Sequence, residues 1–308
     1  MLPDSTTSVT DPRRESISQE SDDPLKRANG LNRVSIYAGF IKLEHTVFSL
    51  PVVFAGTVLH ARGWFSTRLA AWVLLAAVGG RVMAMGLNRL IDQELDARNP
   101  RTQKRELARG AMSRAEAWAV VGLAGFLYIA GAAAIAPICL WLSPIPVALF
   151  VVYPYLKRFT WLAHLGLGLA WSMGPVAGWL AASKSPAQVS EVGWLWAFSV
   201  LWVTGFDIIY ATMDEAFDRE SGLHSLPARL GRGRALQVAE ILHAAAFLCL
   251  YLLWRTQLLA PASLWWLAGI GALFIWQHSV AARKPEFAFF HLNAILGFAV
   301  FGFVWAGR

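Results

Sequence analysis

Residues 69–96 read LAAWVLLAAVGGRVMAMGLNRLIDQELD, an apolar run that ends in a cluster of acids. At about 1.5 Å per helical residue, the run of residues 69–90 is long enough to cross the roughly 30 Å hydrocarbon core of a bilayer. The acids follow at the point where such a helix would leave the membrane. This stretch therefore predicts a membrane helix with a polar functional site at one end.

The composition of the whole chain supports a membrane protein. Of its 308 residues 56% are hydrophobic and only 15% are charged, whereas a soluble domain carries about 25% charged residues. Nine apolar stretches have membrane-spanning length, near residues 45–61, 69–90, 115–135, 137–156, 162–183, 192–213, 236–254, 259–281 and 287–306. We therefore expect an all-α polytopic membrane protein with nine transmembrane helices over residues 36–308.

The N-terminal 35 residues have a different character. They are polar, rich in Ser, Asp and Arg, and carry no periodic apolar pattern, which predicts a disordered tail. They also lack the apolar segment of a signal peptide. The two cysteines, Cys139 and Cys249, lie inside apolar runs. We expect them to be buried, with neither a disulfide nor a metal-ligand spacing.

The positive charges indicate the topology. The net charge is +7, and 20 of the 27 Lys and Arg residues fall in segments that a nine-span topology places on the side of the N-terminus. Only five fall on the opposite side. Because cytoplasmic loops carry the excess of Lys and Arg, the N-terminus is predicted to be cytoplasmic, in an inner or plasma membrane. The basic charge is then accounted for by topology, and no nucleic-acid partner is expected.

The first acidic cluster has helical spacing. Asn88, Asp92 and Asp96 are four residues apart, which places them on one stripe of a helix. Like charges four apart repel each other, so this stripe needs a compensating cation. Carboxylate and amide oxygens suit Mg²⁺, which also prefers the oxygens of phosphate groups. The cluster therefore predicts a magnesium site.

A second acidic cluster repeats this arrangement. Asp207, Tyr210, Asp214 and Asp218 share one helical face, and Asp207 lies inside an apolar run, where a charge is costly unless it is functional. Asp214 follows Asp92 by 122 residues, or about four spans, on the same predicted side. The simplest account is two four-helix repeats plus one further helix around a central cavity, with the site at the interface of the repeats.

Basic residues accompany the acids. Lys157 and Arg158 follow the fourth span, and Arg101 and Arg105 follow the first cluster. Such basic residues, together with metal ions, bind diphosphate groups. Lys42, before the first span, could also reach a phosphate. Arg81 lies about two turns deeper than Asn88, and an intramembrane Arg is a functional candidate with the acids as its expected partners. His60, His164, His243, His278 and His291 show no ligand spacing and are expected to serve helix packing.

These motifs resemble the UbiA superfamily of intramembrane prenyltransferases, and most of all its 4-hydroxybenzoate polyprenyltransferase type. The resemblance is carried by the Asn88 to Asp96 motif with residues 99–105, by the Asp207 to Asp218 motif with Gly222 and Ser225, and by the segment Tyr153 to Arg158. It implies a nine-helix bundle in which Mg²⁺ joins the diphosphate of a polyprenyl donor to both clusters. It also implies an aromatic acceptor, and hence a role in ubiquinone or menaquinone biosynthesis.

The resemblance assigns roles residue by residue. The implied metal ligands are Asn88, Asp92, Asp96, Asp207, Asp214 and Asp218. The implied substrate-binding residues are Lys42, Arg81, Arg105, Tyr153, Lys157, Arg158 and Tyr210, with Arg81 near the acceptor and Tyr210 beside the donor. Asp92, Asp214 and Arg81 are the expected catalytic residues. No residue stands out as the base that removes the ring proton.

Three alternatives stay open. Many family members carry Asp directly after the first Asn, whereas this chain has Arg89; the branch that prenylates a futalosine-type acceptor for menaquinone resembles this chain in Arg89 and in residues 223–227. A phospholipid-type alcohol phosphotransferase needs its acids in one segment, and this chain divides them between two. A transporter fits the repeats and the intramembrane charges, but its site would lie at mid-membrane.

Overall fold

The computed structural model describes residues 24–308, with side chains described for 33–42 and 49–308. Every regular element in that range is helical, and the α-helices are α1 Pro24–Ile41, α2 Leu43–Ala61, α3 Thr67–Ile91, α4 Gln93–Arg98, α5 Arg114–Ile135, α6 Pro137–Leu142, α7 Pro144–Leu156, α8 Ala163–Ser183, α9 Gly193–Ala211, α10 Glu215–Glu220, α11 Leu226–Leu230, α12 Arg232–Leu253, α13 Ala262–Ala281 and α14 Pro285–Ala306. Helix α1 begins inside the predicted tail, so the helical part of the chain starts earlier than residue 36. Residues 1–23 lie outside the described part.

Eight spans in the described part are long and apolar enough to cross a membrane, which makes the chain an integral membrane protein. They are Thr67–Ile91, Arg114–Ile135, Pro137–Leu156, Ala163–Ser183, Val189–Ala211, Arg232–Leu258, Ala262–Ala281 and Pro285–Ala306. Each overlaps one of the last eight predicted stretches. The first predicted stretch coincides with α2, whose apolar part with described side chains is the shorter Ser49–Ala61. The count of nine stays a prediction.

The two acidic clusters lie where membrane helices are interrupted. Helix α3 ends at Ile91 and α4 begins at Gln93, with Asp92 between them at φ −97° and ψ 7°. Asp214 occupies the matching place between α9 and α10, at φ −106° and ψ 6°. The Asp96 N–H donates to the Asp92 carbonyl, and the Asp218 N–H donates to the Asp214 carbonyl, each at 2.8 Å. The two acidic clusters thus share a local backbone conformation.

Small residues let the helices approach closely. A Cβ on Gly56 of α2 would lie 2.0 Å from the Pro175 carbonyl oxygen of α8, and a Cβ on Gly178 would lie 2.0 Å from the Val53 carbonyl oxygen. Only glycine fits at these two crossing points. Such contacts replace the hydrophobic driving force that helices lack in lipid. The contact between α2 and α8 lies beside an apolar chamber that adjoins the polar cavity.

A buried polar network joins three helices of the second half. The Trp202 indole of α9 donates to Asn293 Oδ1 of α14 at 2.8 Å, and Gln277 Nε2 of α13 donates to the same oxygen at 3.1 Å. The Asn293 amide donates in turn to the Phe289 carbonyl at 2.7 Å. Because these groups have no water to bind inside the bilayer, their pairing fixes α9, which carries Asp207 and Tyr210.

Candidate active site

Both acidic clusters border one cavity of about 320 Å³. Its wall includes all but one of the side chains predicted for the site: Lys42, Arg81, Asn88, Asp92, Asp96, Arg105, Tyr153, Lys157, Asp207, Tyr210, Asp214 and Asp218. The predicted substrate ligand Arg158 is not part of this wall. Its guanidinium lies behind Asp92, where it donates to the Ile91 carbonyl at 2.9 Å and to Asp92 Oδ1 at 3.2 Å.

Asp92 is the most deeply buried acid of the first cluster. Its Oδ2 accepts from Lys157 Nζ at 2.5 Å and from the Asn88 amide at 3.3 Å. Burial raises the pKa of the Asp92 carboxyl above its usual range, while Lys157 and Arg158 act in the opposite direction. The three contacts fix the carboxylate at the break between α3 and α4.

Asp96 is held by the loop that follows α4. Arg105 Nη1 donates to both of its carboxylate oxygens, at 2.9 and 2.8 Å, and the Thr102 hydroxyl donates to its carbonyl at 3.0 Å. The loop is itself anchored by a buried ion pair, because Arg89 Nη1 lies 2.6 Å from Glu106 Oε2. Arg89 stands where many family members carry Asp. It forms an ion pair with Glu106, the residue next to Arg105.

The second cluster receives its cation from the first half of the chain. Arg101 donates two hydrogen bonds to Asp214, one of them from Nε at 2.8 Å, and its Nη1 donates to the Tyr210 hydroxyl at 2.5 Å. The Asn99 amide donates to the same carboxylate at 2.8 Å. Burial alone would lower the pKa of Arg101, but the contacts with Asp214 and Tyr210 raise it above its usual value. Residues 99–101 thus link the two acidic helix ends.

The two remaining acids are contacted by a histidine and a serine. His164 Nδ1 lies 2.7 Å from Asp207 Oδ2, and Ser225 hydrogen-bonds Asp218. Burial raises the pKa of the Asp218 carboxyl, and the Ser225 hydrogen bond opposes that shift. Within the described residues neither carboxylate forms an ion pair with a Lys or Arg side chain.

A second, apolar chamber of about 130 Å³ adjoins the polar cavity. The two share Arg81, Tyr153, Leu167 and Trp171 in their walls. Arg81 Nε is buried without a hydrogen-bond partner, and no acid of the described chain lies within ion-pairing distance of this guanidinium. The expected pairing of Arg81 with the acids is therefore wrong, because seven residues place it about 10 Å along the helix axis from Asn88. Arg81 presents an uncompensated charge where the chambers meet.

The UbiA prenyltransferase family matches residues 49–294. The chain belongs to this family. Relatives include the 4-hydroxybenzoate octaprenyltransferase of Alcanivorax borkumensis, 32% identical over 83% of this chain and 88% of that protein. The 4-hydroxybenzoate solanesyltransferase of Synechocystis sp. is 29% identical over 82% and 87%.

Solved structures agree with the fold of this UbiA-family protein. A UbiA homolog from Aeropyrum pernix K1, in its apo form, has a TM-score of 0.79 and 35% identity, covering 85% of this chain and 97% of that one. A homolog from Archaeoglobus fulgidus bound to GPP and Mg²⁺ has a TM-score of 0.66 at 19% identity, covering 88% and 99%. At that identity the second likeness shows the fold alone.

The donor set of this UbiA-family site fits Mg²⁺. The predicted ligands offer only carboxylate and amide oxygens, the ligands of a hard cation. Within the described residues no three acid, His or Cys groups come close enough to form a metal cluster by themselves. Mg²⁺ takes one or two carboxylates and completes its shell with phosphate oxygens and water.

Sequence reasoning missed several residues of this family site. Asn99 was quoted only as part of a motif, Arg101 only as a loop cation, and His164 was expected to serve packing. All three contact an acid of the site. Asn99 and Arg101 lie 115 and 113 residues from Asp214 along the chain, so spacing carries no signal for their contact.

Proposed function

We propose that this protein transfers a polyprenyl group from a prenyl diphosphate to a small aromatic carboxylic acid, with Mg²⁺ as cofactor, in quinone biosynthesis. One observation carries the proposal. Acids from both halves and the cations that hold them border a single cavity, which opens into an apolar chamber marked by one unpaired guanidinium. The polar part suits a metal-bound diphosphate, and the apolar part suits the organic groups that react.

The roles of the side chains follow from their positions. Lys157, Arg101 and Arg105 donate to the diphosphate and oppose the negative charge that grows on it as the C–O bond breaks. Bound Mg²⁺ would be held by the carboxylates of both clusters and would add positive charge at the same oxygens. The apolar chamber keeps water away from the allylic cation, so the aromatic ring attacks instead. The ring then loses a proton and regains aromaticity.

Arg81 selects the acceptor in this proposal. An unpaired guanidinium inside the membrane is costly, and an acceptor carboxylate would satisfy it while the ring lies in the chamber. The chamber of about 130 Å³ is close in size to the cavity of about 150 Å³ that holds one benzene ring, which favours a single-ring acceptor over a larger one. The names of the relatives, 4-hydroxybenzoate octaprenyltransferase and solanesyltransferase, favour a 4-hydroxybenzoate-like acceptor. A futalosine-type acceptor for menaquinone is the alternative.

The membrane location is part of the same proposal. The bias of Lys and Arg toward one side supports a cytoplasmic N-terminus and a site that faces the cytoplasm of an inner or plasma membrane. That orientation gives a water-soluble aromatic acid direct access, while the prenyl tail stays in lipid.

The test is a direct assay. Purified protein is incubated with Mg²⁺, a prenyl diphosphate and candidate aromatic acids, and the product is identified by mass. We expect Asp92→Ala and Asp214→Ala each to lower transfer about 10³-fold, because each removes a carboxylate that would hold the Mg²⁺ bound to the diphosphate. Asp92→Asn and Asp214→Asn keep the volume of the side chain if the alanine variants do not fold.

Glu94→Ala is the matched control, since Glu94 lies between Asp92 and Asp96 and is exposed. It should retain activity. Full transfer by either Asp variant would contradict the proposal. A transporter would instead show solute flux in proteoliposomes without a prenylated product or released diphosphate.

A further inference from the structure

His164 is buried between Asp207 and the N-terminus of α11. Its Nδ1 lies 2.7 Å from Asp207 Oδ2, and its Nε2 accepts the backbone N–H of Leu226 at 3.1 Å. A backbone N–H can only donate, so Nε2 carries no proton. The proton is then on Nδ1, which donates to Asp207. The two contacts together fix a neutral ring in one tautomer and one orientation.

This partner distinguishes Asp207 from the acids that contact Lys or Arg. Asp92, Asp96 and Asp214 each form an ion pair with a cationic side chain. Within the described residues, the side chain of Asp207 has His164 as its one hydrogen-bonding partner. A neutral donor orients one carboxylate oxygen without compensating its charge. The other oxygen is left for a ligand in the cavity.

The same ring also fixes a segment of the second cluster. Leu226 follows Ser225, which hydrogen-bonds Asp218 and caps α11. The neighbouring His224 N–H donates to the Lys157 carbonyl at 2.7 Å. His164 therefore holds Asp207 at a set position relative to Asp218 and to the segment that carries Lys157.

We propose that His164 is a positioning residue, which orients Asp207 and residues 224–226 and so sets the affinity of the site for Mg²⁺ together with a diphosphate. The inference rests on the proposed function, because it takes Asp207 and Asp218 as metal ligands. Hydrogen bonds to metal-ligating side chains are worth about 10- to 100-fold in metal affinity or activity. Loss of this ring should therefore have an effect of that size.

The experiment measures binding separately from catalysis. His164→Phe keeps a ring of similar size and removes both hydrogen bonds, and His164→Gln keeps one donor and one acceptor. Each variant is titrated with Mg²⁺ at a fixed concentration of geranyl diphosphate, and the rise in melting temperature reports binding. We expect the Mg²⁺ midpoint of His164→Phe to rise about 10- to 100-fold, with a smaller rise for His164→Gln.

His243→Phe is the matched control. His243 is also a buried histidine with two hydrogen bonds, to His278 at 2.9 Å and to the Trp202 carbonyl at 3.1 Å, but it does not border the cavity. It should lower the melting temperature and leave the Mg²⁺ midpoint unchanged. An unchanged midpoint in His164→Phe, or an equal rise in His243→Phe, would overturn the inference. If His164→Phe does not fold, the midpoint of His164→Gln decides.

Failure of the proposed function gives a different result. The wild-type protein would then bind Mg²⁺ with geranyl diphosphate but prenylate no aromatic acid. The Mg²⁺ midpoints of the variants would still test His164. For active protein, His164→Phe should also raise the KM for geranyl diphosphate while changing the KM for the aromatic acid little.

Discussion

The two acidic helix ends have similar backbone conformations but differ in the cations that pair with their carboxylates. Asp92 and Asp214 interrupt their helices at nearly the same backbone angles. The cations that contact Asp92 come from the end of α7, in the same half of the chain. The cation that contacts Asp214 is Arg101, from the loop that follows the first cluster. The two helix ends are therefore alike in backbone conformation but not in their ion pairs.

This difference gives the clusters unequal surroundings. The Asp92 side chain is 3% exposed and has two cations, whereas the Asp214 side chain is 14% exposed and has one. The cations that pair with Asp92 and Asp96 all come from the same half of the chain as these acids. The second cluster is complete only when residues 99–101 of the other half reach it. A diphosphate bound between them would contact both halves.

The largest expected effect is the difference between removing the cation that pairs with Asp214 and removing one that pairs with Asp92. Arg101→Met should lower kcat/KM for the prenyl diphosphate by about 10³-fold, because Asp214 and Tyr210 lose their cation and no other replaces it. Lys157→Met should cost about 10²-fold, since Asp92 keeps Arg158. Steady-state kinetics with a varied prenyl diphosphate measures both.

Arg98→Met is the control for these variants, because Arg98 is exposed on α4 and, among the residues with described side chains, hydrogen-bonds only the Glu94 carbonyl. Equal losses in Arg101→Met and Lys157→Met would show that the two clusters are compensated alike. That result would remove the asymmetry described above.

A smaller effect is expected at the ion pair that anchors the linking loop. Glu106→Gln leaves the buried Arg89 guanidinium without its counter-charge, and should lower the free energy of unfolding by about 2 kcal/mol. It should also raise the KM for the prenyl diphosphate, because Arg105 is the adjacent residue. Melting temperature and KM are the two measurements.

Glu116→Gln provides the comparison for that variant. Glu116 also pairs with an arginine at 2.6 Å, but this pair is exposed, and glutamine preserves the capping box at Ser113. Its melting temperature should fall less than that of Glu106→Gln. A KM change as large in Glu116→Gln would argue against any special role of the buried pair.

The smallest expected effect concerns two helix caps. Ser225 and Ser113 each accept a backbone N–H at the start of a helix, so alanine at either position should cost about 1 kcal/mol. Only Ser225 also contacts an acid of the site, Asp218. Ser225→Ala should therefore raise the Mg²⁺ requirement several-fold, and Ser113→Ala should not. An equal Mg²⁺ requirement in both variants would leave Ser225 as a cap alone.

Local patterns predicted the parts of the structure that depend on local spacing. The apolar runs gave the spans, and the four-residue spacing of Asn88, Asp92 and Asp96 gave their shared face. The same pattern missed the break at Asp92, because the hydrogen bond from Asp96 to Asp92 preserves the helical spacing across it. The start of α1 at Pro24 was also missed, since a polar helix has no apolar periodicity.

Contacts between distant segments could not be predicted in this way. Arg101 contacts Asp214, and His164 contacts Asp207, because whole helices pack together. The expected pairing of Arg81 failed for the same reason, since the charge of a residue does not reveal which chamber it faces. The motif resemblance identified the residues that meet at the cavity, but it did not supply their partners.

The link from Arg101 to Asp214 has a consequence for substrate binding. In the described structure Asp92 and Asp214 already have counter-ions, so a metal-bound diphosphate that engages these two acids would do so by exchanging partners. On the proposed function, Asp214 would help to hold the metal ion, and Arg101 would donate to a phosphate oxygen. The connection between the halves then runs through the substrate, and it must be remade by protein alone each time diphosphate leaves.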